Sequence, residues 1–409
     1  MRKTVYFCLN VIHMMLRTLI FVCFALSLAA CDHQIDQEQV IELPVEHAAF
    51  EANPQAVPKQ AVKTLAIGAE APDFSLPGVD EQWYSLQSFG EAKVLAIVFT
   101  CNHCPTAQAY EDRLIQLHED YVSRGVAIVA ISPNSPLGLL YEELGYSDLG
   151  DSFEDMKARA EDKAFPFPYL YDGDNEKASL AYGPVATPHA FVFDKERKLR
   201  YVGRLDGSEK PGTAQAEDVR AAIDALLDGQ VVETAETKTF GCSTKWAWKT
   251  DYKKKVEADW EQKEIKVHAL TVPGLKTLLQ NETEELLMVN VWASWCGPCV
   301  LELPDLAKVY RMYQGRDFRF VSISADKAKN MKAAQKCLEK AHLPAENYVF
   351  DGEDKYQLIE TVDPNWTGAL PYTILIEPGG KIVYAKQGMI DFFELKKAIV
   401  DHPLIGRYY

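Results

Sequence analysis

The apolar and polar positions repeat one order twice along the chain. "KVLAIVFT" (Lys93 to Thr100) is an unbroken apolar run of strand length, and "GVAIVAIS" (Gly125 to Ser132) is a second. Between them "PTAQAYEDRLIQLHEDY" reads as a helix, and after the second "GDSFEDMKARAEDK" reads as another, capped by Asp151 with Glu154 three residues on. "HAFVFDKERKLRYVGRL" is a hairpin, and "AEDVRAAIDALLDG" an amphipathic helix ended by Gly229. From Leu286 the order returns: strand (Leu286 to Val291), helix, strand (Phe318 to Ser324), helix (Ala328 to Ala341), a short strand, the hairpin "YTILIEPGGKIVYAKQG" and a last helix. This weak duplication of about 150 residues predicts two tandem α/β folds, each a central mixed sheet flanked by helices. Their expected bounds are 65–229 and 264–409, joined by a connector over 230–263 that holds Cys242.

The N-terminus patterns differently. Arg2, Lys3 and Arg17 accompany an apolar core from Leu19 to Cys31, too short for a membrane span of about 20 residues. Leu28-Ala29-Ala30-Cys31 resembles a bacterial lipoprotein processing box. The resemblance implies a signal peptide over 1–30, a lipidated Cys31, and a protein anchored in the cell envelope facing the periplasm. Asp32 favours the inner membrane. A plain signal peptide or an uncleaved anchor are the other readings. Residues 31–64, rich in Gln, Glu, Ala, Val and Pro, read as a flexible tether reaching roughly 110 Å when extended.

A net charge of −16 with no basic patch argues against nucleic acid as a partner. Of nine cysteines, Cys8 and Cys23 leave with the signal and Cys31 carries lipid. Six remain: Cys101, Cys104, Cys242, Cys296, Cys299 and Cys337. An exported protein lives where disulfides persist. A CxxC pair closes so short a ring that it staples almost no chain, so two such pairs point to reversible redox chemistry.

Each pair stands where a strand gives way to a helix, a position that lowers a thiol's pKa. That makes Cys296 the expected nucleophile and Cys299 its resolving partner, and likewise Cys101 and Cys104. His103 lies inside the first pair. As an imidazolium beside a thiolate it would stabilise the reduced form and make this pair the more oxidising; the alternative is an exposed loop histidine. No shared metal site or haem is expected: the pairs lie in separate strand–helix units, and no His follows either.

"WASWCGPC" with "GALPYTIL" resembles the thioredoxin superfamily, and this half is most similar to its TlpA/ResA branch of membrane-tethered thiol reductants. The likeness implies a cis-proline at Pro371 that faces the substrate, and a carboxylate at Glu302 that tunes the dithiol. An exposed Glu302 on the helix surface is the other reading. Asn290 stands where thioredoxin has a buried acid. "APDFSLPG" and "VFTCNHCPTAQAYEDRL" resemble the redoxin (AhpC/TSA-like) group near the peroxiredoxins, with Pro188 of "VATPHAFVFD" in the matching cis-proline place. Aligning Cys104 with a peroxidatic cysteine puts Cys101 where that site keeps Thr and Ile97 where it keeps Pro. The expectation is a thiol–disulfide oxidoreductase acting on protein thiols and disulfides, served by a membrane-bound or periplasmic thiol donor, with no cofactor. Electron relay between the two sites is expected with it. The alternatives are a thiol peroxidase in the first fold recycled by the second, and a redox-regulated or metal-handling binding protein. Cys242 is either a third thiol that relays the Cys101–Cys104 disulfide or a packed residue.

Overall fold

A strand that carries apolar side chains on both faces must be covered on both, and β3 to β5 of the first fold show this. The computed structural model describes residues 50–210 and 212–407. A hairpin of β1 (Ser75–Pro77) and β2 (Trp83–Ser85) leads into β3 (Val94–Phe99), buried at every position. β4 (Val126–Ser132) and β5 (Tyr169–Tyr171) extend the sheet in parallel on one side. β7 (His189–Phe193) and β8 (Leu199–Gly203) extend it antiparallel on the other, after the short β6 (Ala186–Thr187), giving the order β5-β4-β3-β7-β8. Val94, Ala96 and Val98 pack on one face with Leu114, Leu117, Val219 and Ile223; Leu95, Ile97 and Phe99 pack on the other with Phe74, Tyr182 and Phe191. This alternation is what a period of two on a doubly covered strand requires.

The helix expected over 105–121 is two helices, α1 (Pro105–Ala109) and α2 (Glu111–Tyr121), broken at Tyr110. The ring hydroxyl of Tyr110 donates to Asp206 Oδ1 at 2.8 Å. α3 (Phe153–Lys163), α4 (Lys177–Tyr182) and α5 (Glu217–Leu227) complete this half. α3 is capped by the Ser152 hydroxyl, which accepts from Asp155 N at 3.1 Å, and not by Asp151. The connector contributes β9 (Cys242–Ser243) and α6 (Thr250–Glu261).

The second fold adds β10 (Val267–Leu270) and α7 (Val272–Gln280) before its central strand β11 (Leu286–Trp292). Then follow α8 (Gly297–Tyr313), β12 (Phe318–Ser324), α9 (Met331–Lys340), β13 (Glu346–Phe350), α10 (Lys355–Val362), β14 (Tyr372–Ile376), β15 (Ile382–Gln387) and α11 (Phe392–Val400). The order β10-β13-β12-β11-β14-β15 repeats the first sheet with one extra edge strand. Both halves are therefore α/β folds with a mixed central sheet flanked by helices.

Within the expected tether, residues from Phe50 on lie against the first fold. The Phe50 ring meets Phe153 at 4.8 Å, and Gln55 N donates to Asp174 O. An apolar ring followed by backbone hydrogen bonds has reason to dock. Cys31 and the signal lie outside the described residues. Among the described residues no helix is long and apolar enough to cross a membrane.

Candidate thiol sites

The first pair sits where β3 ends and α1 begins. Pro105 is the first residue of α1, and Cys104 precedes it in extended conformation. Cys101 is 3% exposed and Cys104 0%. Cys101 Sγ lies 3.1 Å from Thr187 Oγ1 and 3.5 Å from His103 Nδ1. Cys104 Sγ lies 3.2 Å from the Thr187 carbonyl oxygen and accepts the backbone N–H of Cys242 at 3.3 Å.

Asp151 organises the loop from beneath. Its Oδ1 accepts the backbone N–H groups of Asn102 (2.9 Å) and His103 (3.1 Å). Its Oδ2 lies 2.5 Å from His103 Nδ1 and accepts Asn134 Nδ2 at 2.7 Å. Burial works against a charged imidazole, yet the Asp151 carboxylate outweighs it and holds His103 above its ordinary pKa. Burial also opposes a thiolate at Cys104, but hydrogen bonds from Cys101 and Cys242 and the nearby imidazolium bring its pKa well below the usual thiol value. Cys101 is pushed well up by burial, by its bond to Cys104 and by the Asp151 charge. Sequence reasoning made Cys101 the accessible thiolate. In the structure neither thiol is accessible and the charge is favoured on Cys104, because the donors converge there while Cys101 faces a carboxylate.

β9 lies across this site. It pairs antiparallel with β6, Thr187 opposite Cys242 and Ala186 opposite Ser243. Thr187–Pro188 is a cis peptide bond, and Thr239 Oγ1 donates to the Pro188 carbonyl at 2.9 Å. Gly241 has φ +131°, and a Cβ there would fall 2.0 Å from Thr187 O. Only glycine lets the chain approach this closely. His189 is turned away from the thiols: its Nδ1 accepts Val185 N at 3.4 Å, it packs on Phe191, and burial lowers its pKa to about 4.

In the second fold Cys296 and Cys299 are joined by a disulfide. Cys296 caps α8, its Sγ accepting Cys299 N at 3.3 Å. Cys296 is 7% exposed and Cys299 0%, while Trp295 beside them is 69% exposed. Glu302 is buried: Oε1 accepts Asn290 Nδ2 at 3.4 Å and Oε2 accepts Ile390 N at 3.3 Å. Burial pushes its pKa up to about 7. Asn290 also donates to Thr373 Oγ1 at 2.9 Å, and Leu370–Pro371 is cis.

Cys242 opens on a cleft of about 460 Å³. Its walls include His103 and Pro105 from the first fold, Lys245 from the connector, and Arg311 and Arg316 at and just beyond the C-terminal end of α8. Cys296 stands at the other end of α8, 15 residues before Arg311 and about 22 Å from it along the helix axis. Cys337 packs partly buried on the second core. Donor atoms of Cys101, His103 and Asp151 lie within 4.8 Å of one another, a set chemically suited to a soft or borderline cation. The Asp151 oxygens already serve four protein partners there.

The AhpC/TSA family profile matches residues 67–202 and 263–385. Thiol-disulfide oxidoreductase ResA of Oceanobacillus iheyensis is 26% identical over 124 residues, 28% of this chain and 56% of that protein. ResA of Bacillus subtilis is 27% identical over 102 residues, 25% of this chain and 52% of that protein. The chain thus spans about half the length of the curated relatives it matches. Among solved structures, an uncharacterized conserved protein from Geobacillus kaustophilus is 35% identical, covering 47% of this chain and 98% of that one, with a TM-score of 0.40. Matched through both of its sheets, the chain belongs to the AhpC/TSA family.

Proposed function

We propose that this protein is an envelope thiol–disulfide oxidoreductase with two dithiol sites, held at the membrane by lipid on Cys31. The observation that carries the activity is the repeated placement of a CxxC pair where the central strand meets its helix, oxidised in the second fold and reduced in the first. At the second site a partner thiolate attacks Cys296 Sγ, Cys299 leaves, and the partner's second thiol releases the mixed disulfide; the reverse sequence reduces a partner disulfide. The exposed Trp295 beside Cys296 offers apolar surface of the kind protein substrates bind, and the relatives named thiol-disulfide oxidoreductase support the reaction class. Exchange by direct contact between the two pairs of one chain finds no support in the geometry, since the Cys242 cleft and Cys296 lie at opposite ends of α8.

Full-length protein, given a dithiol donor, is expected to reduce a test protein disulfide. Cys296→Ser should remove most of that activity; a variant as active as the parent would overturn the reading. A metal-handling reading draws on the Cys101–His103–Asp151 cluster. Stoichiometric zinc or copper in purified protein would favour it.

A further inference from the structure

The two thiols of the first site cannot meet a partner. Cys101 and Cys104 are 3% and 0% exposed, beneath a segment of the chain itself. That segment is fastened along its length. Thr239 binds the Pro188 carbonyl, Gly241 touches Thr187, Cys242 pairs with Thr187, Thr244 Oγ1 donates to Pro184 O at 3.1 Å, and Lys245 N donates to Asn134 Oδ1 at 2.8 Å. Of the three thiols clustered here, Cys242 alone is partly exposed, and it packs on the other two. Its backbone N–H holds Cys104 Sγ, and the two side chains hydrogen-bond each other.

We propose that Cys242 is the exchange thiol of the first site, carrying the Cys101–Cys104 disulfide outward to a low-molecular-weight thiol in the adjoining cleft. This rests on the oxidoreductase reading above. The Cys242 thiolate attacks Cys104 Sγ of the oxidised pair. The Cys104–Cys242 bond forms, the Cys101–Cys104 bond breaks, and Cys101 leaves as a thiolate that takes up the proton Cys242 gave up. The disulfide has moved with no change in oxidation state. A small thiol then attacks Cys242 Sγ in the cleft and releases Cys104 as its thiolate, in the place where protein donors already converge. A second small thiol frees Cys242 and leaves as the small-molecule disulfide. The cleft's 460 Å³ suits a small molecule, and its place between two folds excludes a folded protein from the sulfur. The assignment to Cys104 and not Cys101 follows from the contacts: the Cys242 backbone and thiol both bond Cys104.

Two measurements on the full-length chain test this. After mild oxidation, Cys101→Ser protein is digested without reduction and its disulfides mapped by mass. A Cys104–Cys242 link is expected; free thiols at both positions overturn the proposal. Then the rate at which L-cysteine reduces the preformed Cys101–Cys104 disulfide is compared between the parent and Cys242→Ser, with Cys242→Ala as a second variant. The expected slowing is about tenfold or more, and equal rates overturn the proposal. A reduced protein dithiol in place of L-cysteine is expected to act slowly on the parent; if it outpaces L-cysteine, the small-thiol assignment falls. If the parent forms no Cys101–Cys104 disulfide while Cys296–Cys299 oxidises normally, what fails is the redox role of the first pair, and this proposal with it.

Discussion

Single residues set the chemistry, and Asp151 is the most consequential. Its carboxylate holds the Asn102–His103 backbone and, against burial, raises the pKa of the His103 imidazole. Asp151→Asn keeps hydrogen-bonding capacity but removes the charge. The thiolate absorbance of the reduced first pair should then titrate at a pH higher by about one unit or more, and the pair should become more reducing, since its reduced form loses stabilisation. An unchanged titration would mean that His103 does not support the thiolate. Glu302 gives a second test. Its folded pKa, about 7, lies above the ordinary carboxyl value of 4.5. Between those values the folded chain keeps a proton that the unfolded chain has lost, so stability falls as pH rises through this window. Glu302→Gln should flatten that loss, roughly 2 kcal/mol after solvent screening, in denaturant titrations of the oxidised protein. A slope equal to the parent's would show a solvated carboxylate. The CxxC pairs and both prolines were legible because each stands in a short contiguous motif. Asp151 was not: it lies 48 residues beyond His103, and in sequence it is indistinguishable from the helix cap that Ser152 supplies.

At the scale of elements, the strap around β9 decides which thiols solvent can reach. Gly241→Ala would set a Cβ against the Thr187 carbonyl at a backbone angle that L-residues avoid, so the strap must lift. Iodoacetamide should then label Cys101 and Cys104 at least about tenfold faster in the variant, read by peptide mass. Labelling at the parent's rate would show that something other than the strap closes the site. The long buried strands and the amphipathic α5 were readable from period alone, since burial on two faces or one stripe leaves a regular pattern. β10 and α7 were not. β10 is a half-exposed edge of four residues, and α7 opens on Val272-Pro273-Gly274, which in sequence reads as a turn. The break at Tyr110 was equally hidden, since the Asp206 that receives its hydroxyl lies 96 residues away.

For the whole molecule, the duplication was legible and the seam between its halves was not. Leu139 and Leu144 enter the hydrophobic core of the second fold, and Arg311 on α8 reaches Glu142 and Glu257 at 2.9 and 2.5 Å. Tyr313 OH donates to Ser147 O, and Arg407 binds Asp148, 259 residues earlier. No local pattern announces pairings over such separations. The seam fixes α8 with its C-terminal end at the Cys242 cleft and its Cys296 end away from it. Two sites joined in one chain would ordinarily exchange at a rate independent of protein concentration, because each is tethered at high effective concentration to the other. Placement at opposite ends of α8 removes that advantage. If the first site is selectively oxidised and the second reduced, their equilibration without small thiols should therefore be slow, and adding L-cysteine should speed it. Rapid, concentration-independent equilibration in the parent without small thiols, abolished by Cys242→Ser, would instead show that the seam opens and brings the Cys242 cleft to Cys296 within a single chain.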